Sequence, residues 1–279
     1  MRTTAENAEL ALLLEVTGTP KPGNVDRHRE YDDLRFEHFL AGAVGSQQGL
    51  RLAADPDSPP VGEAFEQAVA GMGDQRGGNT QFGALLLLVP LARAAGRGTL
   101  TSGGVAGVVD STTVTDAAGF YRAFEHVDVS VDDPPEDLDE LDVRRGSDAV
   151  PELHARDLTL GDVMERSADN DGVAREWVGG FERSFWAADR LSELDGGVAD
   201  RASRVFLELL ADEPDTFIAI NHDAATAERV SERARAVLDG SEDADAMADD
   251  LVEAGINPGT TADIVAAGLF IALERGLEI

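Results

Sequence analysis

The sequence predicts an all-α fold, a single domain of about ten helices that covers residues 1–279. Apolar positions recur at spacings of three and four residues along most of the chain, which is the periodicity of amphipathic helices. Ala, Leu, Glu and Arg, which favour helix, dominate these segments. Strict two-residue alternation is rare, and its best case, residues 127–131, fits either a short strand or a loop. We therefore expect an orthogonal or bundle-like array of helices.

Helical spacing defines the predicted elements in chain order. The predicted helices span residues 4–17, 35–54, 61–72, 80–95, 113–126, 170–194, 197–212, 223–239, 243–254 and 260–275. Two of them, 80–95 and 260–275, contain the runs FGALLLLVPLA and IVAAGLFIAL, so we expect both helices to be buried nearly all round. Residues 128–150 are acidic, contain proline and carry few apolar side chains, which predicts a loop between two halves of the domain.

Acidic side chains outnumber basic ones by 54 to 23, and the formal net charge is −31. Self-repulsion at this charge density weakens a compact state in dilute buffer, whereas molar salt reduces the Debye length to about 3 Å. The charge is spread along the whole chain, which favours a protein of a salt-accumulating halophile over an acidic partner-binding protein. No basic stripe is present, which argues against nucleic acid as a partner.

The chain contains no cysteine, which excludes disulfides, thiolate metal sites and a cysteine nucleophile. Its N-terminal apolar run includes acidic residues and lacks a cleavage-site pattern, which argues against a signal peptide. The longest apolar run, residues 82–92, is too short to span a bilayer. We expect a soluble, cytoplasmic protein that does not bind membranes.

The first candidate site segment surrounds the only lysine of the chain, Lys21. Pro20 and Pro22 fix their φ angles and remove amide donors, and Gly23 permits a turn. Such a stiff segment would display polar side chains at low entropic cost, namely Lys21, Asn24, Asp26, Arg27 and His28. The alternative interpretation is a rigid turn between helices with a solvated face.

Two Gly-containing segments precede the two apolar helices. Gly78, Asn79 and Thr80 stand before the first, where an Asn or Thr cap would leave amides open to an anion, although the P-loop spacing is absent. The second helix starts with similar chemistry, at Gly259, Thr260, Thr261 and Asp263. Most Gly-rich helix starts are only turns, and an acidic residue in a first turn is ordinary dipole complementation.

Asp215 and Thr216 form a further candidate, because hard oxygen ligands and few histidines suit Mg²⁺ better than zinc. Asp223, a few residues on, is predicted simply to cap the next helix. In so acidic a chain, a solvated surface position is the alternative for Asp215.

Taken together, these candidate segments predict a triphosphate site. Helix amides and Lys21 would bind phosphate oxygens there, and carboxylates would hold Mg²⁺.

Four motifs in this order resemble the triphosphoribosyl-dephospho-coenzyme A synthases. They are EVxxxPKPGxVD, from Glu15 to Asp26; Gly-x-Asn-Thr, ending in Gly78-Asn79-Thr80; the pair Asp215-Thr216; and PGxxAD, from Pro258 to Asp263. The resemblance extends from about residue 10 to the C-terminus, and it is specific because all four motifs occur together. The family is all-α, in agreement with the periodicity.

The resemblance implies a pentosyl transfer, in which the ribose 2′-hydroxyl of dephospho-CoA attacks C1′ of ATP and adenine leaves. It implies Lys21 as the phosphate clamp, Asp215 and Asp263 as ligands of Mg²⁺, and Glu15 or Asp26 as the base or stabiliser of an oxocarbenium-like centre. The remaining substrate- or phosphate-binding candidates are Asn24, Arg27, His28, Gly78, Asn79, Thr80, Gly259, Thr260 and Thr261.

The chain departs from the bacterial pattern after Asp26, where it has His28-Arg29-Glu30-Tyr31-Asp32-Asp33-Leu34 instead of Gly-Ala-His-x-Asp-Met. It resembles an archaeal-type branch, and the departure concerns acceptor recognition more than the ATP site. Three alternatives stay open: the same ribosyl chemistry on another acceptor, hydrolysis of an N-glycosidic bond, and a non-catalytic nucleotide-binding protein. The apolar C-terminal helix makes a homodimer possible.

Overall fold

The computed structural model describes residues 2–57, 60–131 and 139–279, and it contains no strand within these ranges. The α-helices are α1 (Thr4–Thr17), α2 (Phe36–Gly45), α3 (Gln47–Ala54), α4 (Val61–Met72), α5 (Phe82–Gly96), α6 (Ser102–Asp110), α7 (Val114–Ala123), α8 (Val150–Arg156), α9 (Leu160–Ser167), α10 (Gly172–Val178), α11 (Glu182–Glu193), α12 (Val198–Asp212), α13 (Thr216–Asn221), α14 (Ala224–Asp239), α15 (Ala244–Glu253) and α16 (Gly259–Glu274). Two 3₁₀ helices, Asp139–Leu141 and Val143–Ala149, precede α8. The all-α prediction is confirmed.

The predicted number of about ten helices is wrong, since the described residues form sixteen. Two predicted helices are each divided: 35–54 breaks at Ser46, and 170–194 breaks where Gly180 and Phe181 adopt positive φ angles of 68° and 62°. Four more helices, α6, α8, α9 and α13, were not predicted. Each has only six to nine residues, which is too short for a periodic pattern to stand out.

Side-chain caps set many of the helix starts. The N-cap side chains that accept hydrogen bonds from first-turn amides are Thr3, Thr101, Thr159, Asp171, Asp215, Asp223 and Asp243. A cap of this kind stabilises a helix by about 1 kcal/mol. Part of the acidic composition is therefore structural, and the prediction that Asp223 caps a helix is confirmed.

Helices α5 and α16 form the centre of the core. Leu85, Leu87 and Leu88 of α5 are fully buried, as are Ile264 and Phe270 of α16. The two helices pack against each other, and α1 and α11 pack against α16. Their predicted burial on nearly all sides is thus confirmed, and both N-termini point to the interior. None of the described helices combines the length and apolar character needed to cross a membrane.

The acidic segment predicted as a loop is only partly irregular. Residues 128–131 have no regular structure, which settles the strand-or-loop alternative for 127–131 in favour of a loop. Residues 132–138 lie outside the described part of the chain, and 139–149 form the two 3₁₀ helices. The hydroxyl of Tyr121 donates to the Leu141 carbonyl over 2.7 Å, which ties the first 3₁₀ helix to α7.

Candidate active site

A cavity of about 720 Å³ lies where four helices begin. Helices α5, α10, α13 and α16 contribute residues of their first turns, and α1 contributes Glu15 from its last turn. The predicted site residues that line the cavity are Glu15, Asn24, Asn79, Thr80, Gly259, Thr260 and Asp263. Helix N-termini carry partial positive charge, so their convergence favours anionic groups here.

Asp263 lies against the N-terminus of α5. A Cβ atom on Gly83 would lie 2.0 Å from Oδ2 of Asp263, so only glycine allows this approach. Burial raises the pKa of Asp263 well above its ordinary value, and the nearby carboxylates of Glu15 and Asp215 raise this pKa further. A hydrogen bond from the Ala84 amide opposes the shift. An amide of α5 that was predicted to bind phosphate therefore holds a carboxylate of the protein.

Asp215 has a similar relation to α16. Its Oδ2 accepts hydrogen bonds from the amide and hydroxyl of Thr261 over 2.7 and 2.6 Å, and its Oδ1 caps α13 through the amides of Phe217 and Ile218. Burial raises its pKa, while these hydrogen bonds, that from the Thr261 hydroxyl foremost, lower it. Asp215 does not line the cavity, and four donors occupy its oxygens. The geometry therefore favours Asp263 over Asp215 as a metal ligand.

Lys21 is fully buried and does not reach the cavity surface. Its ammonium forms an ion pair with Glu15 and donates to Oδ1 of Asn24 over 3.0 Å. Asn24 in turn donates to Oδ1 of Asn257 over 2.8 Å, which links the Lys21 segment to the turn before α16. Burial raises the pKa of Glu15, and Lys21 opposes this increase. Lys21 thus contacts Glu15 and Asn24 and does not line the cavity.

Asp26 organises the loop that contains Lys21. Its carboxylate accepts hydrogen bonds from the Thr19 hydroxyl and from the amides of Lys21, His28 and Arg29, at 2.7 to 3.2 Å. It is buried and absent from the cavity wall. With its oxygens committed in this way, Asp26 is a poorer candidate than Glu15 for a base that must contact substrate.

The other predicted residues are only partly found at the cavity. Arg27 and His28 are exposed and do not line the cavity, and neither do Gly78 and Thr261. Asn79 does line it, and its Oδ1 accepts from the amide of Phe82 over 3.1 Å. The N-cap of α5 is Gln81, so the prediction of Asn79 or Thr80 as the cap is wrong.

The sequence matches the model of one protein family, ATP:dephospho-CoA triphosphoribosyl transferase (CitG), over residues 1–278. The chain belongs to this family.

A solved structure agrees with the assignment. It is a protein from Archaeoglobus fulgidus that was provisionally assigned as a triphosphoribosyl-dephospho-coA synthase. The two chains share 26% sequence identity, the superposition has a TM-score of 0.67, and it covers 85% of this chain and 99% of the other. Among curated proteins, none matches the chain significantly. As a member of the triphosphoribosyl transferase family, the chain is a transferase of the triphosphoribosyl group from ATP to dephospho-CoA, which confirms the predicted family and reaction.

In this transferase the cavity has two chemically different ends. We call the region of Glu15, Asp171 and Asp263 the carboxylate end. A second group of lining residues, which we call the apolar end, consists of Phe120, Phe124, Leu141, Leu158, Val163 and Met164. Phe82, the first residue of α5, joins the two, because its ring centre lies 4.9 Å from that of Phe124 and the next residue contacts Asp263.

Three residues that line the cavity were not selected from the sequence. Asp171 lines the cavity and caps α10, and its Asp-Gly step is a helix-start signal that resembles those already selected. Gly83 lies inside a predicted helix, where nothing in the sequence marks its contact with a carboxylate. Arg166 lines the cavity from the last turn of α9, one of the helices that the sequence did not predict.

Gly83→Ala is expected to lower triphosphoribosyl transfer by about 10- to 100-fold, because its methyl group would displace the Asp263 carboxylate by an ångström or more. Steady-state rates measure the effect. Gly107→Ala is the matched control: it lies exposed on α6 with no atom within 4 Å of the added Cβ. This control should gain up to about 1 kcal/mol of stability and keep its activity. Equal activities of the two variants would contradict the role given to the Gly83 contact.

Proposed function

We propose that the transfer of the triphosphoribosyl group takes place at the carboxylate end, with Glu15 as the base for the ribose 2′-hydroxyl of dephospho-CoA. The observation that supports this role is the position of Glu15 on the cavity wall, with Lys21 fixed behind it. Burial raises the pKa of Glu15, so its carboxylate is a stronger base than an exposed glutamate. The Lys21 ion pair keeps the ionised form accessible.

The reaction exchanges one bond to C1′ of ATP for another. The 2′-oxygen of the acceptor forms a bond to C1′, and the bond between C1′ and N9 of adenine breaks with its electron pair going to adenine. Glu15 takes the proton of the hydroxyl, and adenine gains one, so protons balance over the cycle. The transition state resembles an oxocarbenium ion, and the carboxylates of Glu15 and Asp263 favour its positive charge.

A magnesium ion fits the donor set of the carboxylate end. Asp263 and Asp171 supply hard oxygen ligands. Burial first, and then the carboxylates of Glu15 and Asp215, raise the pKa of Asp263, and a bound cation would stabilise its ionised form. In the described part of the chain no three acidic or histidine side chains are arranged to hold an ion alone, so phosphate oxygens of ATP would complete the ligand set. The ion would neutralise triphosphate charge that these carboxylates otherwise repel.

Under this proposal, three buried residues position others instead of touching substrate. Lys21 orients Glu15, Asp26 holds the loop that carries Lys21, and Asp215 fixes the start of α16 through Thr261. Helix amides thus bind the carboxylates of Asp215 and Asp263, and the phosphates are bound through the cation. This assignment reverses part of the sequence interpretation, in which the amides and Lys21 contacted the triphosphate directly.

The test follows free adenine by chromatography with ATP, Mg²⁺ and dephospho-CoA, in about 1 M KCl so that the surface charge is screened. We expect adenine release that requires the acceptor and stops when EDTA removes the metal. Glu15→Gln should lower kcat by about 10²- to 10⁴-fold while ATP still binds. Glu253→Gln, at an exposed position of α15, is the matched control and should retain the wild-type rate.

Other outcomes of the same assay contradict specific parts of the proposal. Adenine released without acceptor would indicate hydrolysis or a different acceptor. A Glu15→Gln enzyme with the wild-type rate would exclude Glu15 as the base. Full activity in EDTA would exclude the metal.

A further inference from the structure

Arg166 is the only cationic side chain among the described residues that line the cavity. It is exposed, and within the described part of the chain its guanidinium takes part in no ion pair or hydrogen bond. By contrast, other arginines of this acidic surface pair with carboxylates, as Arg190 does with Glu208 and Arg233 with Glu242. An available guanidinium at a cavity whose other charged groups are carboxylates favours a phosphate ligand, which it can bind through two parallel hydrogen bonds.

Along the chain, Arg166 lies between residues that line the two ends of the cavity. Val163 and Met164, one turn earlier on α9, line the apolar end. Asp171, five residues later at the start of α10, belongs to the carboxylate end. Ser167 and Asn170, which also line the cavity, lie on the segment between them. A ligand that extends from one end to the other therefore passes this polar stretch.

The acceptor has the same order of chemical groups. In dephospho-CoA the ribose with the reacting hydroxyl is joined through a diphosphate to a long, weakly polar pantetheine arm. We propose that Arg166 binds the diphosphate of the acceptor and that the apolar end holds the pantetheine arm, while the ribose lies at the carboxylate end. This inference rests on the proposed function, because the ribose can be placed only if Glu15 is the base.

The opposite orientation would put the adenine of ATP in the apolar end and its triphosphate on Arg166. The carboxylate end argues against it. A triphosphate held by a cation between Asp263 and Asp171 leaves the acceptor as the ligand that must extend along α9. Apolar side chains such as Phe124 and Met164 also match the methyl and methylene groups of the arm, whose burial against them is favourable.

Arg166→Ala tests the inference, with the KM of each substrate measured separately. The KM for dephospho-CoA should rise about 10- to 100-fold and that for ATP should change by less than about threefold, as expected for the loss of hydrogen bonds to a charged group. Arg235→Ala is the matched control, because Arg235 is exposed on α14 and does not line the cavity. A rise confined to the KM for ATP, or no rise in either KM, would overturn the inference.

A binding experiment separates this inference from the proposed function. 4′-Phosphopantetheine contains the arm and one phosphate but no ribose, and calorimetry detects its binding without turnover. It should bind the wild type, compete with dephospho-CoA and not with ATP, and bind Arg166→Ala at least tenfold more weakly. Pantetheine, which lacks the phosphate, should bind both proteins equally. Binding of this pattern in a protein that releases no adenine would support the assigned positions of the phosphate and the arm and refute the proposed function. Adenine release without such binding would refute these positions and leave the proposed function standing.

Discussion

Asp263→Asn is expected to slow triphosphoribosyl transfer strongly while it makes the metal-free protein more stable. Asparagine keeps the shape and can still accept the hydrogen bond from Ala84, but it removes the charge that the cation and the oxocarbenium-like centre require. We expect a loss in kcat of about 10²- to 10³-fold. The same change relieves a buried charge beside Glu15 and Asp215, which should raise the free energy of unfolding at neutral pH.

The gain in stability should depend on pH in a defined direction. The pKa of Asp263 is raised in the folded state, so between the unfolded and folded pKa values the native protein binds more protons than the unfolded chain. Stability of the wild type therefore falls as pH rises through this window, which starts near the ordinary value of 3.8. The advantage of Asp263→Asn should be absent below the window and grow across it.

Urea unfolding in EDTA at several pH values measures this effect, and Asp195→Asn, at an exposed loop position, is the control for the loss of one surface charge. Addition of Mg²⁺ and ATP should stabilise the wild type and not Asp263→Asn, because only the wild type binds the ion at that position. An asparagine variant that is less stable than the wild type at neutral pH would contradict the account of Asp263 as a destabilising functional carboxylate.

Helical periodicity predicted the long elements because burial of a continuous apolar face imposes it. This holds for α5 and α16, whose burial follows directly from their composition. The breaks at Ser46 and at Gly180–Phe181 depend on tertiary contacts. At the first, a Cβ on Gly45 would lie 2.1 Å from the Gly71 carbonyl of α4. Such an approach between distant segments leaves no periodic trace in the sequence.

The sequence also identified most residue types of the site but not their partners. Asp215 and Asp263 stood out as acids near helix starts, yet the sequence could not indicate that each would bind amides at the start of another helix. The lysine stood out by its rarity and its two flanking prolines, and its role as a phosphate clamp followed from its charge and the family resemblance. Its actual neighbours, Glu15 and Asn24, follow from the path of the loop after α1.

Lys21→Met is expected to lower both stability and activity strongly, because it leaves the buried Glu15 carboxylate without its cation. Removal of one partner from a buried ion pair costs about 3–5 kcal/mol. Part of this cost is avoided if Glu15 takes up a proton, so its pKa, already raised by burial, should rise further. Stability of the variant should then fall more steeply with rising pH than that of the wild type, and activity should be lost with the ionised base.

A double-mutant cycle with Glu15→Gln decides between the two roles considered for Lys21. If Lys21 positions Glu15, Lys21→Met in the Glu15→Gln background should cost at least 1 kcal/mol less than in the wild type, because no buried charge is left unpaired. A phosphate clamp would instead raise the KM for ATP in either background and leave the free energy of unfolding unchanged.

Lys21→Arg keeps the positive charge but changes its shape. A planar guanidinium in this closed space should lower the free energy of unfolding by about 1–3 kcal/mol through overpacking, and the variant should not have wild-type activity. Wild-type stability and turnover in Lys21→Arg would show that charge alone suffices, and the positioning role would be wrong.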